Sequence, residues 1–270
     1  MASPAPRVAA WRYVIPNSIT ALGIVFGALG VQAALRGRPL AAAWWGLYCT
    51  LTDRLDGATA KALGATSEFG VQLDSLADLV SFGLVPPAVL YAYFSSRPRL
   101  GWTTPVMHAL LAAAAVAFTL AAALRLARYN VKAAQGGERH YTGVPTTMTA
   151  GLTLVLFLTC LKYAEASLRQ PEDLDHLYLL GHIRLDILVP YAPLLLVAGA
   201  AAMLSPLRVP KLGRTRSKIT TFLLFGSAGL GYLAGLFHAL PEYLAGGGLF
   251  YLGISIRHHW RTRAGAAAAG

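Results

Sequence analysis

The chain has 270 residues, 56% of them hydrophobic and 13% charged, with a mean hydropathy of +0.52; a soluble domain is about one quarter charged, so an ordinary water-soluble enzyme is excluded. The length does not require a second domain, because a polytopic helical bundle of this size is one unit. A net charge of +11 would suit nucleic acid, but no Lys/Arg stripe interleaved with aromatics exists; the basic residues sit at the ends of apolar runs, which argues against nucleic acid and for lipid headgroups and topology signals.

In chain order, residues 1–13 come first, with Arg7, Trp11, Arg12 and Tyr13 in "APRVAAWRYVIP". They read equally as an interfacial helix with aromatics at headgroup depth or as a solvated leader, without a signal-peptide layout. Eight candidate membrane spans follow, near 15–35, 39–62, 70–94, 104–128, 143–163, 185–204, 219–238 and 242–256, the last short and Gly-rich. The expected fold is therefore an all-α polytopic membrane protein. Of the Lys and Arg residues, 16 fall on one side of these spans and seven on the other. The positive-inside rule then places both termini in the cytoplasm, with the 2–3, 4–5 and 6–7 turns. Cys49 and Cys160 lie in apolar runs without metal-ligand spacing and read as packing residues.

The second and third spans carry the unusual chemistry. Only 12 residues of the chain are acidic, yet Asp53, Asp56, Asp74 and Asp78 fall within 26 positions at the facing ends of these spans. At 100° per residue, Asp53, Asp56, Gly57, Ala60 and Gly64 share one narrow arc of span two. Gly70, Asp74, Asp78 and Ser81 form a second stripe on span three. A short turn around "ATSEF" makes the spans antiparallel neighbours, so both stripes can face one cavity at the cytoplasmic surface. A carboxylate in hydrocarbon costs several kcal/mol, and four together repel. Arg54 and Lys61 cannot neutralise them, whereas hard divalent cations with oxygen ligands can. A cation- or proton-coupled carrier would also place carboxylates in spans, but typically near the midplane on broken helices.

The pattern Asp53-x2-Asp56-Gly57-x2-Ala60-Lys61-x8-Gly70-x3-Asp74-x3-Asp78 resembles the signature of the CDP-alcohol phosphotransferases, membrane enzymes that build phospholipid headgroups. It departs at Lys61, where the family usually has Arg, losing the planar two-pronged donor. The resemblance implies a six-span catalytic core over residues 14–204, followed by a basic loop, two additional spans and a basic tail over 205–270. It further implies a two-metal Mg²⁺ or Mn²⁺ site on Asp53, Asp56, Asp74 and Asp78, holding the pyrophosphate of a CDP-linked donor. Asp78 is then the general base, and Gly57, Ala60, Lys61 and Gly70 admit the nucleotide and its phosphates. Asn17 and Thr20 in "PNSIT" join them; for Asn17, capping of the first helix is the competing reading. Family members commonly form homodimers.

Within the family the stretch "ATSEFGVQLDSLADLVSFGLVPP", with "RLARYNV" and "YTGVP" further on, looks most like the membrane-embedded phosphatidylserine synthases. That likeness implies transfer from CDP-diacylglycerol to L-serine at a cytoplasm-facing site among membrane lipids. Arg125 and Arg128, three apart, can bind the serine carboxylate, with Asn130 and Thr142 beside them; topology-setting charge is the plainer role for both arginines. The alternative is the same chemistry with glycerol phosphate, inositol phosphate or choline as acceptor.

Overall fold

A computed structural model describes residues 11–134, 140–166, 185–210 and 241–268. The seventh expected span, 219–238, and the first ten residues lie outside the described residues. Helix α1 runs Trp11–Leu35, α2 Pro39–Leu63 and α3 Glu68–Asp78. A π-helical turn, Leu79–Leu84, joins α3 to α4, Val85–Ser95. Then come α5, Pro105–Ala134; β1, His140–Thr142; α6, Thr146–Ala166; a 3-10 turn, Asp186–Tyr191; α7, Leu194–Leu204; β2, Arg208–Pro210; and α8, Pro241–Ala268.

The described residues form the helical bundle of an integral membrane protein, and four stretches among them are long and apolar enough to cross a bilayer: 11–35, 68–95, 105–133 and 146–164. They coincide with the first, third, fourth and fifth expected spans. α2 is as long as α1 but carries Asp53, Arg54, Asp56 and Lys61 in its last turns, which lowers its hydropathy. The sixth expected span is a 3-10 turn plus an 11-residue helix, because Pro190 and Pro193 interrupt its apolar run. β1 and β2 form a small antiparallel pair, His140 opposite Pro210 and Thr142 opposite Arg208, which the sequence pattern did not announce.

Small residues bring the first helices close together. A Cβ on Gly23 would lie 3.0 Å from Thr52 Oγ1, and one on Gly27 within 3.3 Å of Ser81, so α1 can pack backbone-close against α2 and the π turn. Most of the core is apolar and aromatic: Phe94, Leu111, Phe118, Leu154 and Phe157 are fully buried. A smaller cluster of Cys49, Phe82 and Ala150 underlies the polar end of the bundle. Cys49 donates its Sγ–H to the carbonyls of Gly23 and Trp45, in keeping with a packing role.

The π turn has a local cause. Pro86 and Pro87 have no N–H, so the carbonyls of Phe82 and Gly83 lose their helical donors. Thr119 Oγ1 of α5 donates to the Gly83 carbonyl at 2.9 Å instead. The widened turn begins directly after Asp78, and its Ser81 hydroxyl donates to Gly23 O at 3.2 Å.

Candidate active site

α2 and α3 form a helical hairpin whose turn is sharply specified. α2 stops at Gly64, which adopts φ +59° and closes the helix through its N–H to Lys61 O, while Ala65 N–H reaches Ala60 O. Ser67 caps α3 by accepting the Gly70 N–H at 3.0 Å. Gly64 is thus a left-handed helix terminator, and the small-residue arc of α2 ends at Ala60.

Above that hairpin the aspartates converge. Carboxylate oxygens of Asp53, Asp56 and Asp74 all lie within 4.8 Å of one another. Asp78 shares their cleft. Together with Thr20, Gly23, Thr52 and Ser81 they line a narrow cleft, with Cys49, Ala77 and Phe82 also in its wall. Asp56, 5% exposed, is held on both oxygens: Thr20 Oγ1 donates to Oδ2 at 2.7 Å, and the Gly57 N–H donates to Oδ1 at 2.6 Å. Arg54, next to Asp53 on α2, is exposed, and Arg125 of α5 is buried. Four carboxyl groups this close repel one another when ionised.

The donor set suits a hard divalent cation. Every candidate ligand is a carboxylate oxygen, and oxygens around one Mg²⁺ at ~2.1 Å lie at most ~4.2 Å apart. Closing from 4.8 Å requires movements of roughly half an ångström per ligand, within reach of side-chain rotation. Asp53, Asp56 and Asp74 can hold an ion, with Asp78 available in the same cleft.

The flanking residues divide into groups. Gly57 is exposed, with nothing within 4 Å of where a Cβ would stand, so the strip of α2 next to Asp56 is open backbone. Ala60 is half-buried and Lys61 exposed on the same helix. Asn17 is the seventh residue of α1, which excludes helix capping; its Oδ1 lies 3.1 Å from the Cβ position of Gly70. Thr20 therefore borders the carboxylate cluster, and Asn17 meets Gly70 one helical turn before Asp74.

The α5 residues are engaged in different ways. Arg125, 5% exposed, donates from Nη1 to Thr146 Oγ1 at 2.9 Å. Arg128 Nη2 is turned to backbone, donating to Thr142 O at 2.9 Å and Met203 O at 3.2 Å. Asn130 Nδ2 donates to Ser75 Oγ at 2.8 Å, tying α5 to α3 between Asp74 and Asp78. Thr142 takes part through its carbonyl, with Lys132 Nζ 3.5 Å from its hydroxyl. Of the four expected acceptor residues, Arg125 meets Thr146, Arg128 meets Met203 O, Asn130 meets Ser75 and Thr142 meets Lys132.

Three participants escaped the sequence reading: Ser75, Thr146 and Gly143. Gly143 has φ +80°, and a Cβ there would collide with Met203 O and come within 3.0 Å of Arg128 Nη2. The "YTGVP" string signalled this loop without revealing its partner.

Comparison with known proteins places this geometry in context. The sequence model described as CDP-alcohol phosphatidyltransferase matches residues 13–170, which contain every site residue above except Met203. The CDP-diacylglycerol–serine O-phosphatidyltransferase of Mycobacterium leprae is 35% identical over 164 residues, 59% of this chain and 51% of that protein. The protein of that name from Helicobacter pylori strain J99 is 31% identical over 152 residues, 56% of this chain and 60% of its own length. The one from Saccharomyces cerevisiae is 31% identical over 169 residues, 59% of this chain and 54% of its length. The chain thus spans between half and three fifths of these relatives.

Proposed function

The chain belongs to the CDP-alcohol phosphatidyltransferase family, and on that premise we propose that it transfers the phosphatidyl group of CDP-diacylglycerol to the hydroxyl of L-serine, giving phosphatidylserine and CMP. The observation that carries this reading is the meeting of the Asp53, Asp56 and Asp74 carboxylates within 4.8 Å, beside the open Gly57 backbone. The acceptor is read from the relatives' names and from Arg125, a buried guanidinium on the helix that Asn130 ties to α3 between Asp74 and Asp78.

Bound Mg²⁺ or Mn²⁺, as a two-ion site, would neutralise the diphosphate and stabilise charge on the leaving oxygen. Asp53, Asp56 and Asp74 hold the ions, with Asp78 completing the set. Thr20 and the Gly57 N–H fix the Asp56 carboxylate. Gly57 and Ala60 leave room for the cytidine and its phosphates, with Asn17, Gly70 and Lys61 at the rim. Arg125 takes the serine carboxylate. The serine hydroxyl oxygen forms a new bond to the phosphorus that bears the diacylglycerol, and its proton passes to the Asp78 carboxylate. The bond from that phosphorus to the bridging oxygen breaks, and the electron pair leaves on CMP. Positioning of this kind supplies much of phosphoryl-transfer catalysis.

The site faces the cytoplasm in this reading, both termini share that side, residues 14–204 form the catalytic core, and the enzyme works as a homodimer. The test is CMP release by purified protein in detergent, given CDP-diacylglycerol, Mn²⁺ or Mg²⁺ and L-serine. Serine- and metal-dependent release, abolished by Asp74→Asn in a folded protein, is expected. Release with glycerol phosphate, inositol phosphate or choline but not serine would overturn the acceptor; no release with any alcohol would favour a carrier.

A further inference from the structure

The "YTGVPTT" string is a sequence feature within the matched region whose role the reaction above leaves unexplained. The 142–146 loop is fixed from several directions. Gly143 N–H donates to Leu207 O at 2.8 Å, and Val144 N–H to Ala202 O at 3.0 Å, so the end of α7 holds its backbone. Arg128 grips it from α5 through Thr142 O, and the Gly143 Cα packs against Met203 O in a conformation open only to glycine. Thr149 N–H and Oγ1 both donate to Pro145 O, starting α6 immediately after the loop. All these contacts fix one position, Thr146, which is 1% exposed and whose Oγ1 receives the Arg125 Nη1 proton at 2.9 Å.

We propose that Thr146 is a positioning residue for the acceptor: its hydroxyl holds the buried Arg125 guanidinium on the helix that Asn130 ties to α3, and the glycine-turned loop exists to hold that hydroxyl in place. An arginine side chain has several rotatable bonds, and a buried one aims its fork only if packing and hydrogen bonds restrict it. Thr146 lies on α6 and Arg125 on α5, so their bond also fixes the spacing of these helices beside the cleft. This inference rests on the reading of Arg125 as the contact to the serine carboxylate.

The experiment measures CMP release against serine and against CDP-diacylglycerol for Thr146→Val, Thr146→Ala, Thr146→Ser and Arg125→Ala, with thermal unfolding in detergent as the folding control. A hydrogen bond to a charged group is worth enough to expect at least a ~10-fold rise in serine KM for Thr146→Val. The CDP-diacylglycerol KM should stay within about twofold, and Thr146→Ser, which keeps the hydroxyl, should restore the serine KM. Thr146→Ala carries the same expectation should valine prevent folding. A raised serine KM in Arg125→Ala with an unchanged one in both hydroxyl-free variants overturns the role of Thr146 alone. Equal changes in both KM values and kcat, not rescued by serine at 146, also overturn it, because they mean a merely structural residue. An unchanged serine KM in Arg125→Ala overturns the acceptor reading and this inference together.

Discussion

Replacing Thr20 by Val tests the carboxylate cluster without touching a carboxylate. Both Thr20 and Asp56 are 5% exposed, and the Thr20 hydroxyl has one proton for two acceptors, Pro16 O at 3.1 Å and Asp56 Oδ2 at 2.7 Å. The shorter contact, to the charged oxygen, takes the proton. Valine keeps the shape of threonine and removes the donor, leaving a buried carboxylate oxygen short of one partner. A hydrogen bond to a charged group contributes about 1.5–3 kcal/mol, or about 10- to 150-fold in an equilibrium. Residues that orient a metal ligand typically alter metal affinity or activity about 10- to 100-fold. The Gly57 N–H still holds Oδ1, so the lower end, about tenfold, is expected for the rise in Mn²⁺ concentration giving half-maximal CMP release. Thr20→Ser should behave like the parent protein. A folded Thr20→Val protein with parental Mn²⁺ dependence and rate would refute the claim that Asp56 is a ligand held by this bond.

The other predictions concern backbone and packing. Gly57→Ala should fold and gain up to about 1 kcal/mol from helix propensity, because no atom lies within 4 Å of the new Cβ, while its KM for CDP-diacylglycerol rises; steady-state kinetics with an unaltered KM would mean that no ligand approaches there. Gly143→Ala forces alanine to φ +80° against Met203 O and should lower stability by about 1–3 kcal/mol or more, read as a fall in melting temperature. Glu242 accepts from Lys162 Nζ at 2.7 Å and from Tyr163 OH at 3.0 Å, clamping α8 to α6. Glu242→Gln should destabilise the protein towards the low end of about 3–5 kcal/mol, since Lys162 keeps 21% of its side-chain surface exposed, and limited proteolysis should then cut near α8 before the core.

The aspartate site was legible because its information is local. Helical periodicity fixes the angle between Asp53 and Asp56, and between Asp74 and Asp78, and a four-residue turn fixes the two helices as antiparallel partners. The same arithmetic misassigned Gly64, because an angle on a helical wheel says nothing about where the helix stops; its φ of +59° belongs to the terminus.

What the sequence by itself determined was a membrane-embedded helical bundle with four carboxylates at one end, since hydropathy and period survive without knowing which helices touch. Tertiary structure alone decided that Thr20 holds Asp56 across 36 positions and that Lys162 meets Glu242 across 80. It likewise turned Arg128 to backbone while Arg125 meets Thr146. Each of these depends on the rotation and separation of helices distant in the chain. Packing sets those quantities through contacts such as Gly23 on Thr52, and no spacing rule within a single helix encodes them.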